Sequence, residues 1–329
     1  YEFSSPSENT IWREIKKLPA GHYGVFNNHS YSIKEFWRLK YTESNRLSWN
    51  DTVDKTEALL TEAVRKRLVA DVPVAAQLSG GIDSSLVVAM MSFISGTPVK
   101  TYCVSFEEEE LDESRYARIV ANRFGTRHEE IKLTSMDVGL IDKVIEEFGE
   151  PFADTSMLPT YLVCREISKS EKVVCGGDGG DEFFGGYYIN YFVNKLDKVK
   201  NLRFFYPYVS LLAKRFPSYR MLLLSNLLKA ANRPPYELLN RNMSFSTIEM
   251  EALLSDSEAI ESSKKEHEKI WNKYRVSSDN YSVSLLSSFL HTRLVNDYLV
   301  KVDRASMYSS LEMRSPFLDK DLASFAATL

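Results

Sequence analysis

The spacing of apolar residues predicts alternating strands and helices over the first half of the chain. A helical stripe covers Asp51–Val69, and short apolar runs bounded by turn residues then alternate with longer helical patterns. Strands that alternate with helices in this way indicate an α/β fold: a parallel twisted sheet with helices on both faces. The predicted strands are Val72–Leu78, Val99–Phe106, His128–Leu133 and Lys172–Cys175, and the predicted helices are Leu86–Ile94, Ser114–Phe124, Met136–Phe148 and Leu158–Ser168.

The two ends of the chain follow other patterns. A turn leads into a short strand at Leu18–Phe26, and a second strand is predicted at Tyr31–Ile33. Because two short strands cannot form a domain, we interpret residues 1–45 as the tail of one. From about Tyr187 the pattern is mostly helical, and we expect the aromatic stretch Phe204–Tyr208 to be core or a helix contact. The main domain is therefore expected over residues 50–329, with an α/β core at 50–190 and a helical region at 190–290.

Composition and charge exclude several classes of protein. The 329 residues include 41 Lys and Arg against 45 Asp and Glu, a net charge of −4, so we expect no nucleic-acid partner. No apolar run approaches the roughly 18 residues that span a bilayer, so we expect no membrane partner either. Cys103, Cys164 and Cys175 form no CxxC pair, and we predict buried thiols in a reducing cytoplasm rather than disulfides or zinc ligands.

The first candidate site is the loop Leu78–Ser85, with the sequence LSGGIDSS. It joins a predicted strand to a predicted helix, where free backbone N–H groups and the helix dipole favour an anion. Gly80 and Gly81 allow a ligand to approach the backbone closely, and Asp83 offers an oxygen ligand for Mg²⁺. Hydroxyl donors to phosphate oxygens are expected from Ser79, Ser84 and Ser85. The alternative is an ordinary tight turn between a strand and a helix.

The second candidate site is the loop Cys175–Tyr187, with the sequence CGGDGGDEFFGGY. It follows a predicted buried strand, and the carboxyl ends of parallel strands meet at one edge of the sheet. We therefore expect it to lie beside the first loop, with a cation bridging its carboxylates and the phosphates. The alternative is a solvated turn.

These two loops together resemble the PP-loop ATP pyrophosphatases, specifically the synthetase domain of the glutamine-dependent asparagine synthetase family. Further blocks resemble the same family: residues 67–74 (RLVADVPV), 150–154 (EPFAD), 159–161 (PTY), 299–307 (LVKVDRASM) and 311–319 (LEMRSPFLD). Residues 15–22 (IKKLPAGH) resemble the last strands of the family's glutaminase domain. The resemblance implies the adenine nucleotide alpha hydrolase-like fold, and residues 290–329 are interpreted as its second signature segment.

The resemblance implies a reaction in two steps. A carboxylate attacks the α-phosphorus of ATP to give an acyl-adenylate and pyrophosphate, and ammonia then displaces AMP to give an amide. On the matching positions, Asp178 is the expected acid/base for ammonia attack and Lys301 the expected stabiliser of phosphate charge, with Arg304 as the alternative. Asp83 and Asp181 are the expected Mg²⁺ ligands. The ATP and pyrophosphate site is expected at Leu78, Ser79, Gly80, Gly81, Asp83, Ser84, Ser85, Val104, Gly176 and Gly177.

Several alternatives remain open on the sequence. The favoured acceptor is aspartate, with glutamine-derived ammonia, but Thr155 and Met157 stand where the family more often has Pro and Ala. A sugar acid, a peptide side chain or a β-lactam precursor is therefore the second hypothesis, and a non-catalytic nucleotide-binding scaffold is a third. Expected partners are small molecules, with a homodimer left open. The family's glutaminase nucleophile is an N-terminal cysteine, so we expect a glutaminase domain to precede Tyr1.

Other polar residues have structural interpretations. We expect Glu107–Glu110 to form a solvated acidic loop, and Glu312 and Arg314 to be structural polar partners. If Arg304 does not act on phosphate, it is expected to pair with a neighbouring carboxylate.

Overall fold

The structure is a computed structural model that describes residues 8–42, 45–106, 112–133, 139–240, 252–254, 257–277 and 280–329. The acidic run Glu107–Glu110 and the first residues of the helix predicted from Met136 lie outside the described residues. The chain forms two compact units. One comprises residues 184–293, and the other comprises the residues on both sides of that segment.

A parallel sheet forms the centre of the larger unit. Within the described residues it has five strands in the order β5-β4-β3-β6-β7, and every pairing is parallel. The α/β fold class is confirmed, and four of the five strands were predicted to within two residues at most boundaries. The strand missed is β7, because three residues with charged ends give no apolar run. The bounds are β3 Val74–Gln77, β4 Lys100–Phe106, β5 Arg127–Leu133, β6 Val173–Cys175 and β7 Glu312–Arg314.

Helices cover both faces of this sheet, and each face has its own apolar core. On one face, Val64, Val87 and Met91 pack with buried residues of β3. On the other face, Phe148, Leu162 and Ile167 pack against buried residues of β4 and β6, such as Val174. Burial of both faces explains the apolar run of β6, whose three residues are all buried. The helices of this unit are α1 Trp49–Arg67, α2 Ile82–Ile94, α3 Ser114–Phe124, α4 Gly139–Phe148, α5 Met157–Ile167, α6 Gly180–Phe184, α12 Leu299–Tyr308 and α13 Lys320–Ala326.

An antiparallel hairpin precedes α1. Strands β1 (His22–Asn27) and β2 (Ser30–Glu35) pair in register from His22–Glu35 to Asn27–Ser30. Asn28 and His29 both have positive φ, as a two-residue hairpin turn requires. Apolar side chains on both strands are exposed, among them Val25, Phe26, Tyr31 and Ile33. This hairpin therefore has no core of its own.

The unit at 184–293 is helical throughout its described residues. Its core contains Phe192, Leu196, Leu228, Trp271 and Leu285. The helices are α7 Tyr188–Val199, α8 Tyr206–Arg215, α9 Tyr219–Ala231, α10 Ser257–Tyr274 and α11 Tyr281–Phe289, with 3₁₀ turns at Lys200–Phe205 and Pro235–Asn240 and a π-helix at Leu290–Tyr298 that continues into the other unit.

One prediction for this unit is wrong. Phe204, Phe205 and Tyr208 are not core residues but are exposed. Periodicity alone misassigned them, because the apolar residues of α8 lie on its outer side while Ala213 is buried.

The prediction that the three cysteines are buried thiols is confirmed. Cys103, Cys164 and Cys175 are free and buried, and burial raises the pKa of the Cys175 thiol to about 11. None of the described helices is long and apolar enough to cross a lipid bilayer.

Candidate active site

The loop between β3 and α2 is held by its own hydroxyl groups. The Ser79 backbone N–H donates to Ser84 Oγ at 3.2 Å, and the two serine hydroxyls lie 3.0 Å apart. Ser84 Oγ also lies 3.3 Å from the Gly81 carbonyl, to which it donates, and Ser79 Oγ accepts from the Gly81 N–H. Gly80 has φ +85°, and a Cβ there would lie 2.6 Å from the Ala117 backbone nitrogen. Only glycine fits this position.

The loop leaves the start of α2 open. Gly81 is the N-cap of α2 and supplies no side-chain cap. The first-turn N–H groups therefore lack intrahelical acceptors and can bind an anion. The Ser85 hydroxyl is buried and has no hydrogen-bond partner among the described residues. The other two serines predicted to contact phosphate, Ser79 and Ser84, form hydrogen bonds within the loop, and Ser79 is exposed.

The two predicted loops meet in the structure. A Cβ on Gly177 would lie 2.9 Å from the Ser84 backbone nitrogen, and a Cβ on Gly180 would lie 2.2 Å from Asp83 Cγ. The loop that follows β6 thus packs directly against the start of α2. Glycine is required at both positions because a side chain would displace Asp83 or the helix start.

Burial raises the pKa of three carboxyl groups in this region, and at Asp83 the charges of neighbouring carboxylates raise it further. Burial first, then the charge of Asp181, raises the pKa of Asp83 to about 6, although the Asp181 N–H donates to the Asp83 carboxylate. Burial also raises the pKa of Asp181. For Asp178, burial raises the pKa and outweighs a hydrogen bond from Ser315 Oγ at 3.3 Å and the charge of Lys301.

The residues present fit a magnesium ion that is shared with phosphates. No group of three or more His, Cys, Asp or Glu in the described part of the chain could hold a metal alone. Mg²⁺ at phosphate sites commonly uses one or two carboxylates plus phosphate oxygens. Asp83 and Asp181 provide two such carboxylates, and the charge of Asp181 adds to burial in raising the pKa of Asp83.

A second polar cluster lies on α12. Lys301 Nζ donates to Asp154 Oδ2 at 2.6 Å and to Ser156 Oγ at 2.7 Å. Asp154 Oδ1 accepts from the Ser156 N–H and hydroxyl. Burial opposes ionisation of Asp154, but the bonds from Lys301 and Ser156 outweigh it, and the pKa of Asp154 is lowered. Lys301 is therefore an anchored cation rather than a surface lysine.

Two neighbouring arginines differ in their contacts. Arg314 Nε donates to Glu312 at 2.7 Å, and Arg314 Nη1 donates to the Arg67 and Val69 carbonyls, as expected for structural partners. Arg304 is half-buried and forms no ion pair with any described residue. The expectation that Arg304 pairs with a carboxylate is therefore wrong, because its guanidinium lies beside Gly149, which has no side chain.

The residues predicted to frame adenosine lie along one edge of the sheet. Leu78 directly follows β3, and its N–H donates to the Tyr102 carbonyl of β4. Val104 is near the carboxyl end of β4. Gly176 follows β6, and its N–H donates to the Arg314 carbonyl. Three adjacent strands therefore present these positions at their carboxyl ends, where open α/β sheets bind ligands.

Comparison with known proteins places the chain in a family. The asparagine synthase family model matches residues 55–329. The chain belongs to the asparagine synthase family. A putative glutamine-hydrolysing asparagine synthetase 2 of Methanocaldococcus jannaschii is 31% identical over 322 residues, covering 95% of this chain and 60% of that protein. Glutamine-hydrolysing asparagine synthetase 1 of Bacillus subtilis is 27% identical, covering 96% of this chain and 50% of that protein.

Two further similarities belong beside these. The amidase chry2 of Gibberella zeae is 33% identical over 201 residues, covering 54% of this chain and 30% of that protein. Among solved structures, the NH3-dependent NAD synthetase of Campylobacter jejuni has a TM-score of 0.30 and 14% identity over 68% of this chain and 95% of that one. The chain spans 60% and 50% of the lengths of the asparagine synthetases from M. jannaschii and B. subtilis. The expected resemblance to the asparagine synthetase family is confirmed.

Sequence reasoning missed three contacts in the site. It named Asp154 only as part of a matching segment, and it assigned nothing to Ser156 or Ser315. All three lie within or beside blocks that resemble the family, which was the available signal. Their partners, Lys301 and Asp178, are distant in sequence, and no local pattern could have paired them.

Proposed function

We propose that this chain is the synthetase part of an ATP-dependent ligase that converts a carboxylate into an amide through an acyl-adenylate. The contact between the two loops is the observation that carries the proposal, with Asp83 lying against Gly180. It joins an anion-binding helix start to a pair of carboxylates, as transfer of an adenylyl group requires. Family membership independently favours the same chemistry.

In the first half-reaction, the acceptor carboxylate attacks the α-phosphorus of ATP and pyrophosphate leaves. The open first turn of α2 would bind the phosphate oxygens through its backbone N–H groups. The buried hydroxyl of Ser85, which has no partner among the described residues, is a further donor in this loop. Mg²⁺ held by Asp83 and Asp181 would neutralise charge on the departing pyrophosphate.

In the second half-reaction, ammonia attacks the acyl carbon and AMP leaves. Asp178 would accept a proton from the attacking nitrogen, and burial, which raises its pKa, makes it a stronger base than an ordinary carboxylate. Lys301, held by Asp154 and Ser156, would stabilise negative charge on the α-phosphate. The anchored position of Lys301 supports this role because a fixed cation needs little reorganisation during the reaction.

We further propose aspartate as the acceptor, which would make the product asparagine. The names of the synthetases from M. jannaschii and B. subtilis support this choice. Amidation of another carboxylate is the second candidate, and the similarity to a protein named an amidase supports it over 54% of the chain. A panel of carboxylic acids scored by pyrophosphate release distinguishes the two.

The exposed hairpin supports a further part of the proposal. Residues 1–45 would be the end of a glutaminase domain that supplies ammonia from glutamine. Val25, Phe26, Tyr31 and Ile33 are exposed, and the relatives are longer than this chain. A glutaminase domain would cover these side chains and complete the sheet to which β1 and β2 belong.

The test is to supply the protein with ammonia, Mg²⁺, ATP and aspartate. We expect equal amounts of AMP, pyrophosphate and asparagine. Pyrophosphate release with another acid but not with aspartate would support the second candidate. ATP binding with no turnover of any acid would contradict both and favour a non-catalytic nucleotide-binding scaffold.

A further inference from the structure

The helical unit contains a strongly basic segment in an acidic protein. Residues 188–233 include nine Lys and Arg against a single acidic residue, Asp197, a net charge of +8. Since the whole chain has a net charge of −4, the remaining residues carry −12. Such a separation of charge indicates a partner of opposite sign for this segment.

The same segment exposes a continuous apolar stripe. Tyr208, Leu211 and Leu212 follow the spacing i, i+3, i+4 on α8, with Arg215 at i+7, and all four are exposed. Phe204 lies one helical turn before Tyr208 and is 74% exposed, while Leu211 is 69% exposed. We call this set the α8 surface: Phe204, Phe205, Tyr208, Leu211, Leu212, Lys214, Arg215 and Phe216. A helix that packs on a core normally places such a stripe inward.

Basic side chains accompany the aromatic rings of the α8 surface. The Arg215 guanidinium lies 5.7 Å from the centre of the Phe216 ring. Lys214 and Arg215 form no ion pair with any residue that the structure describes. Their charges are therefore available to an external anion.

We propose that the α8 surface binds an anionic lipid bilayer. Leucine and aromatic side chains next to lysine and arginine are the composition of helices that lie in the membrane interface. The apolar side chains would enter the boundary between headgroups and acyl chains, and the basic side chains would contact the headgroups. The lack of an apolar run long enough to span a bilayer predicts no membrane partner, but attachment to a membrane surface requires no spanning segment.

Two features favour a lipid bilayer over a nucleic acid or a second copy of this chain as the partner of the α8 surface. Leu211 and Leu212 lie among the aromatic residues of this surface, and hydrocarbon accepts aliphatic and aromatic side chains alike, whereas bases stack only on the rings. The positive charge is spread along the segment, with Lys198, Arg220 and Lys229 also exposed. Many separate anionic headgroups can pair with such dispersed charges, whereas a second copy of this chain would bring an identical positive surface.

The experiment is sedimentation of the whole protein with vesicles of phosphatidylcholine, with and without phosphatidylglycerol. We expect binding only to the anionic vesicles, weakened by added salt. Lys214→Glu with Arg215→Glu should weaken it by roughly tenfold or more, since each basic residue near the surface contributes about fivefold. Leu211→Gln with Leu212→Gln should weaken it by roughly tenfold or more as well.

Matched control variants lie on α3. Ile119 is 65% exposed and Arg123 is exposed, so Ile119→Gln and Arg123→Glu make the same chemical changes elsewhere. These controls should bind vesicles as the unchanged protein does. The proposal is wrong if the protein ignores anionic vesicles, or if α8 and α3 variants bind equally. If the unchanged protein does not bind vesicles, and the double leucine variant has a lower molar mass than the unchanged protein in light scattering, the α8 surface is a protein interface instead.

Discussion

Asp83 and Asp154 have the same side chain and belong to the two polar clusters of the candidate site, yet their environments shift their pKa values in opposite directions. Burial, together with the charge of Asp181, raises the pKa of Asp83 to about 6. Asp154 holds Lys301 at 2.6 Å, and its pKa is lowered despite burial. The charge of Asp154 is therefore balanced by a lysine of the protein, whereas Asp83 lies beside a second carboxylate.

This difference assigns the two clusters, the Asp83 end and the Lys301 end, to different tasks. The Asp83 end has the open helix start and the carboxylates of Asp83 and Asp181, so it is suited to bind phosphates together with Mg²⁺. The Lys301 end has an anchored cation near Asp178, so it is suited to the α-phosphate, where Lys301 would act, and to amidation of the acyl group, where Asp178 would act. Variants that separate pyrophosphate formation from amide formation test this division.

The largest effect is expected for Asp83→Asn. Loss of one charge from the proposed metal ligands should lower exchange between pyrophosphate and ATP by roughly 100-fold or more. Asp142 is an exposed residue of α4, so Asp142→Asn is the control and should leave exchange unchanged. Normal exchange in Asp83→Asn would remove Asp83 from the phosphate end.

Breaking the pair at the other end should affect folding as well as activity. Lys301→Met leaves Asp154 buried without its partner, so we expect a loss of about 3 kcal/mol in the free energy of unfolding. Adding Asp154→Asn should recover most of this stability but not amide formation. Lys169→Met breaks the exposed pair with Glu166 and should cost under about 1 kcal/mol. Equal losses in Lys301→Met and Lys169→Met would contradict the buried pair.

Gly180→Ala tests the contact between the loops. Its Cβ would lie 2.2 Å from Asp83 Cγ, so the carboxylate must move. We expect exchange to fall by roughly tenfold or more, since small displacements of reacting groups are costly. Gly96→Ala is the control, because no atom lies within 4 Å of its Cβ. If both variants exchange normally, Asp83 does not depend on this contact.

A smaller effect concerns stability in the absence of metal. Asp83 has a pKa of about 6 in the folded protein and about 3.9 when unfolded, so the folded protein retains a proton that the unfolded chain loses. The stability contributed by this proton is lost as pH rises from about 4 to about 6. Above pH 6, metal-free Asp83→Asn should therefore have a higher melting temperature than the unchanged protein, and below about pH 4 the two should have the same melting temperature. A difference in melting temperature that does not change with pH would show that the carboxylate charge is not its cause.

Local sequence patterns were sufficient for most of the sheet but not for the contacts within the site. Residues 172–175 formed a clear apolar run because both faces of the strand are buried. Strand β7 has only Met313 between two charged residues, so pairing with β6 rather than local pattern creates it. The pair of Lys301 and Asp154 joins residues 147 positions apart and became visible only in the fold. Spacing also misplaced Phe204, since periodicity cannot tell which side of a helix faces the core.

The most direct test compares both half-reactions in Asp178→Asn. We expect exchange between pyrophosphate and ATP to persist, because Asp178 would act only after the adenylate has formed. Amide formation should fall by roughly 100-fold or more, as for loss of a general base. The same preparation of Asp83→Asn, measured alongside, should lose both activities. If Asp178→Asn loses exchange as completely as Asp83→Asn does, Asp178 belongs to the phosphate end and the division of the site is wrong.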